Sequence, residues 1–206
     1  MATYHSRLGH LITRSLGTGF VATQALDVVS AWLYENLSPE IREEEDRVRN
    51  GRQAYEVAVA RAADHFGYAL NGDEIKYWGW KFHRAFGILG GLQYVLLRKM
   101  YPKVGQGMGL AYGLGFFLVV DELVIYLAKL TPGPTKFSWR THLRGAIAHL
   151  AYGVAAELTY RSFDKISAYE RGVGAAQWEN SGRHKRVDAS SAEPQKPDYQ
   201  MPVYLS

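Results

Sequence analysis

Residues 106–130 read QGMGLAYGLGFFLVVDELVIYLAKL. A helix that crosses a membrane needs about 20 mostly apolar residues. No other stretch of the chain comes as near to that, although Asp121 and Glu122 interrupt it. Gly105, Gly109 and Gly113 recur at intervals of four, the spacing of one helix face. In water, each interior helix glycine costs about 0.5–1 kcal/mol relative to alanine. In lipid, a face of small residues lets two backbones approach, and close packing drives association there. The stretch therefore predicts a membrane helix that packs through its glycines.

The same signature extends to either side. Helices are expected over 8–36, 76–100 and 140–163. Gly19 and Thr23 mark a face of the first, Gly87 and Gly91 of the second, and Gly145, His149 and Gly153 of the last. Trp78 and Trp80 precede one apolar core, and Arg98, Lys99, Tyr101 and Lys103 follow it. Trp139 opens the last segment, and Tyr160 and Arg161 close it. Aromatic and basic belts of this kind sit at membrane interfaces. By hydropathy alone these three are weak spans, and the mean hydropathy of the chain is slightly negative. A glycine-rich helical bundle in water is the competing reading.

The expected fold is all-α: an integral membrane bundle of four transmembrane helices over residues 1–170, with an amphipathic helical insert at 38–75. Ser38-Pro39-Glu40 reads as a helix start. The charges that follow, Glu43 to Asp46 with Arg42, Arg47, Arg49 and Arg52, read as a solvated surface laced with ion pairs. Ala54, Ala58 and Ala62 give the insert a small apolar face, and Asn71-Gly72-Asp73 is read as its end. Thr131-Pro132-Gly133-Pro134 cannot continue a helix. Residues 171–206 are read as an extended polar tail that lies along a partner. The start of the chain has no signal-peptide pattern, so its apolar stretch is expected to stay as an anchor.

Several functions are excluded. With no Cys there is no thiolate nucleophile and no Cys-ligated metal. The net charge of +4 is spread over several segments and forms no basic-aromatic stripe for nucleic acid. Phosphate-loop, Gly-x-Ser-x-Gly and His-Glu-x-x-His patterns are absent, and Gly107-x-Gly109 has no preceding strand. Neither an enzyme nor a bound cofactor or metal is expected.

Tyr101-Pro102-Lys103, the glycine-rich segment after it, Leu130-Thr131-Pro132, Trp139 and the run from His149 to Glu157 resemble the YagU-like family of bacterial inner-membrane proteins. The resemblance covers residues 10–165 and is clearest over 83–157. Asp27, Leu33-Tyr34-Glu35 and Val120-Asp121-Glu122 are similar to the family's more distant branches. The exit from the first segment departs from it: the better-known members carry Pro-Pro-Arg, where this chain has Pro39 and then Arg42. The resemblance implies an inner-membrane location and a multi-pass topology. It brings no catalytic residue.

Consecutive spans run antiparallel, which puts Asp27, Glu35, His83, Asp121, Glu122, His142 and His149 toward one side of the bilayer and Glu157 toward the other. Helical spacing aligns Asp27 and Glu35 with Gly19, Asp121 with Gly109 and Gly113, and His149 and Glu157 with Gly145 and Gly153. These groups should therefore point into the bundle. Three roles compete for them: structural pairing with Arg84, Arg144 or the histidines, proton handling, and metal ligation. The leading expectation is a non-enzymatic accessory or structural subunit of a larger membrane complex, whose partners are the bilayer and other membrane subunits, with the tail as one contact. The alternative is a small proton or ion pathway through the carboxylate and histidine cluster. The acid-free loop Arg98–Lys103 and the outer Arg7, Arg14, Arg161, Lys165 and Arg171 place both termini in the cytoplasm.

Overall fold

Pro39 and Pro102 frame the first half of the chain, because a helix seldom runs through the residue before a proline. In the computed structural model, backbone is described for residues 2–191 and side chains for 8–169, 172 and 173. Helix α1 (Ala2–Glu35) stops just before Ser38-Pro39. Helix α2 (Pro39–Val48) starts on that proline, and α3 (Ala54–His65) follows. Helix α4 (Gly72–Met100) ends at Tyr101-Pro102. A 3-10 stretch, Pro102–Gly109, leads into α5 (Leu110–Phe116). That helix runs on through a π-helical stretch, Phe117–Val124, into α6 (Ile125–Leu127). A short 3-10 turn, Pro134–Lys136, precedes α7 (Trp139–Ser191). The fold is all-helical, with no strand among the described residues. One stretch, Pro102–Leu127, is long and apolar enough to cross a membrane.

The chain divides into two units, Met1–Phe163 and Asp164–Ser206. Everything below concerns the first. In the second, α7 takes in the tail region as far as Ser191, and 192–206 lie outside the described residues.

Three boundaries differ from the sequence reading. The insert is two helices, because Asn50 and Gly51 both take positive φ (53° and 67°) and break it. Asn71 begins α4 and does not end the insert: its side chain accepts from the amides of Asp73 and Glu74, each at 3.0 Å, while Glu74 accepts from the Asn71 amide at 2.8 Å. This reciprocal cap satisfies amides that have no partner inside the helix. Finally, Gly105 and Gly109 are not on a regular helix with Gly113. Gly107, Met108 and Gly109 have φ of 62°, 57° and 81°, so the helix begins only at Leu110.

The glycines lie where helices touch. A Cβ at Gly91 would collide with the Gly19 backbone, and one at Gly87 with the Thr23 side chain, so α1 and α4 meet there backbone to backbone. A Cβ at Gly153 would strike the Gly109 carbonyl and one at Gly113 the His149 carbonyl, which sets α7 equally close to α5. Gly145 faces the Phe117 ring, and Gly105 faces Arg98 and Glu157. Around these contacts Ala22, Tyr94, Val95, Tyr152, Ala156 and Tyr160 form the buried core. Helix α3 reaches the end of α6 through Arg61, which donates to the carbonyls of Ala128 (2.9 Å) and Lys129 (2.6 Å). These are helix-end carbonyls with no partner of their own.

Candidate functional site

Polar groups buried in a bundle must find partners, and here they gather at two places. The first is a cavity of about 310 Å³ lined by residues of α1, α4, α5, the π-helical stretch and α7, and by the Arg49–Tyr55 hinge of the insert. His83 Nε2 is 2.9 Å from Asp27 Oδ1, which ties α4 to α1 from behind the cavity wall. His142 Nδ1 is 2.6 Å from Glu122 Oε1, and its Nε2 is 2.9 Å from the Pro134 carbonyl. His149 Nδ1 lies 2.9 Å from the Gly145 carbonyl and donates to it, while Asp121 Oδ2 stands 3.7 Å from the same nitrogen. Asp121 therefore faces the cavity with no hydrogen-bond donor among the described residues.

The structure thus brings Asp27, His83, Asp121, Glu122, His142 and His149 together. Glu35 is exposed and does not line the cavity. Arg84 and Arg144 do not pair with Asp27, Asp121 or Glu122. The Arg84 guanidinium lies over the Trp80 ring at 4.8 Å, and Arg144 pairs with Glu45.

Glu45 corrects the reading of the insert as a solvated surface. Its side chain is 2% exposed and holds Arg144, Arg49 at 2.8 Å and the Thr141 hydroxyl at 3.1 Å. Arg144 also donates to Ser30 at 3.1 Å, so α2, α7 and α1 share one ionic knot. Burial lowers the Arg49 pKa from its ordinary value, and the Glu45 charge opposes that. A signal for Glu45 was present: Ile41, Glu45 and Val48 share a face at helical spacing, and all three are at least partly buried.

The second place is Glu157, whose side chain is fully buried. It accepts from Arg98 Nε (3.1 Å) and Nη2 (3.3 Å), from Arg161 Nε (2.6 Å) and from the Tyr94 hydroxyl. Arg98 donates further to the Pro102 carbonyl at 2.8 Å and so pins the turn after α4. A ring layer separates this clamp from the cavity. Tyr94 and Tyr112 lie 4.8 Å apart, Tyr112 and Phe116 5.8 Å, and Phe116 and Tyr152 5.4 Å. The Tyr112 and Tyr152 hydroxyls donate to the α4 carbonyls of Gly90 (2.8 Å) and Gly87 (2.6 Å). Among the described residues, no three His, Asp or Glu side chains are placed to hold a metal ion.

A family model described as "Protein of unknown function (DUF1440)" matches residues 30–158. The match takes in more than half of the 206 residues, and the chain belongs to that family. No curated protein and no solved structure matches the chain. The matched region contains all the cavity histidines, Asp121 and Glu122, whereas Asp27 precedes it.

Proposed function

We propose that this member of the DUF1440 family is a non-enzymatic, YagU-like protein of the bacterial inner membrane that crosses the bilayer four times and serves as an accessory or structural subunit of a larger membrane assembly. The observation that carries the reading is the distribution of polarity. Leu16 and Phe20 of α1, Leu89 and Leu96 of α4, Leu118 and Val119 after α5, and Ile147 and Leu158 of α7 are exposed. Thr23, His149 and Glu157 are buried and hydrogen-bonded. A bundle with large apolar side chains outside and paired polar groups inside suits lipid. The four spans are α1, α4, the run from α5 to α6, and α7 up to Phe163. With both termini cytoplasmic, the cavity faces the periplasmic half.

The subunit role draws on the outer face of α4 and α5. A shallow groove of about 620 Å³ runs between them, where Ala111 and Gly115 leave the surface open. Gln93, exposed beside it, lies 3.0 Å from a Tyr112 hydroxyl whose hydrogen is shared with the Gly90 carbonyl, and has no other side-chain partner among the described residues. An outward amide at lipid depth favours a neighbouring helix that can pair with it. The test is the size of the particle isolated in mild detergent. A defined assembly larger than the 23.2 kDa chain, lost in Gly115→Ile, is expected. A folded monomer for the wild type would contradict the role.

A proton or ion pathway is the second reading, favoured by the Asp27–His83 and Glu122–His142 pairs. It would have to pass the ring layer of Tyr94, Tyr112, Phe116 and Tyr152. Equal flux through proteoliposomes of wild type and Asp121→Asn would remove the cluster from that role.

A further inference from the structure

Of the acids in or directly behind the cavity wall, three have a donor. Glu122 has His142, Asp27 has His83, and Glu45 has two guanidiniums and a hydroxyl. Asp121 has none among the described residues, although its side chain is 35% exposed toward a space that aromatic rings surround. His149 could have supplied the hydrogen, but its Nδ1 gives it to Gly145. In its neutral form that leaves Nε2 as an acceptor. The four carboxylates Asp27, Glu45, Asp121 and Glu122 stand against the two guanidiniums of Arg49 and Arg144, both of which are held by Glu45. Arg49 Nε and Arg144 Nε are buried without a partner, but neither guanidinium lies within ion-pair distance of Asp121, so the acceptor at Asp121 is left unfilled among the described residues.

We propose that the cavity is a binding site for a small organic ammonium ion, a protonated amine on an apolar body, with Asp121 taking the N–H groups and Tyr55, Phe86, Phe116, Phe117 and Tyr126 enclosing the rest. A carboxylate without a hydrogen-bond donor in a ring-lined space gains a charge-assisted bond from such a ligand, and the ring faces attract the cation. A quaternary ammonium has no hydrogen to offer Asp121 and binds less well. A bare metal ion finds too few ligands here. The volume of about 310 Å³ is at the small end for ligand pockets, which limits the guest to roughly one ring and a short amine arm. The inference does not depend on the subunit role, since it concerns only the inside of the bundle.

The experiment is calorimetric titration of the full chain in mild detergent, with a detergent blank, using three probes of one shape: phenethylamine, phenethyl alcohol and phenylacetate. At neutral pH they are cationic, neutral and anionic. Phenethylamine is expected to bind at least about tenfold more tightly than the alcohol, and phenylacetate not at all. Asp121→Asn should lose that preference, while Glu35→Gln should keep it. Equal affinity for amine and alcohol would overturn the proposal, because the cavity would then be an apolar hole. Tighter binding of phenylacetate would overturn it by assigning the space to Arg49 and Arg144, and so would the absence of any amine binding. Should Asp121→Asn fail to fold, the three wild-type titrations decide the matter alone.

Discussion

Glu157 and Asp121 are both carboxylates inside the bundle, and they are solvated by the protein in opposite ways. Glu157 is sealed from solvent and accepts from Tyr94, Arg98 and Arg161. Asp121 is part-open and accepts from no described residue. A carboxylate with its lone pairs filled has no capacity for another partner, and its removal leaves several buried donors stranded. One left unfilled beside a cavity contributes little to the fold and can receive a ligand. Similar positions in a sequence thus serve as a clamp at one end and as a vacant acceptor at the other.

The comparison breaks first at the clamp. Glu157→Ala should destabilise the protein most, by about 3–5 kcal/mol, since it strands the Arg98 charge and the Tyr94 hydroxyl. Thermal unfolding in detergent measures this, and a small shift would mean that the clamp is dispensable. Gly113→Ala comes next, at about 1–3 kcal/mol, because its Cβ would press on the His149 carbonyl. Two residues away, a Cβ at Gly115 meets nothing within 4 Å, so Gly115→Ala should not lower stability and should raise it by up to about 1 kcal/mol. Arg161→Ala should cost about 1 kcal/mol or less, since that side chain is 47% exposed and Glu157 keeps Arg98 and Tyr94. Asp121→Asn should shift stability least of the buried-acid changes, by about 0.5 kcal/mol in either direction. A loss as large as that of Glu157→Ala would place both acids in one structural class.

The legibility of these features follows from the range of the forces behind them. Repeats of small residues at four-residue spacing are local, and Gly87, Gly91, Gly113 and Gly153 could be read from the chain because helix contact is what such repeats do. The nearness of Asp27 to His83 and of Asp121 to His149 also follows from helical spacing, since each of these groups continues a glycine-marked face. The positive φ values at Asn50-Gly51 and Gly107–Gly109 were not, since glycine and asparagine permit the left-handed region without requiring it. The burial of Glu45 left only a faint trace, the face it shares with Ile41 and Val48. An acid among acids and arginines looks solvated, and only the placement of Arg144 from a distant helix turns it inward. Glu35 shows the reverse: it has the spacing of Asp27 plus eight, but α1 ends there and its side chain stays outside.

The polarity of the bundle, apolar without and polar within, underlies the whole account, and the absence of Cys makes it directly testable. Single cysteines at Leu16, Leu89, Leu118 and Ile147, one exposed site on each long helical run, can be probed in intact membrane vesicles with a membrane-impermeant maleimide. The account predicts that none reacts until the membrane is dissolved and the chain denatured, while cysteines at Glu35 and Lys103 react from opposite sides, one of them in intact vesicles and the other once the vesicles are opened. Ready labelling of all four in intact vesicles would contradict it and return the chain to a helical bundle in water.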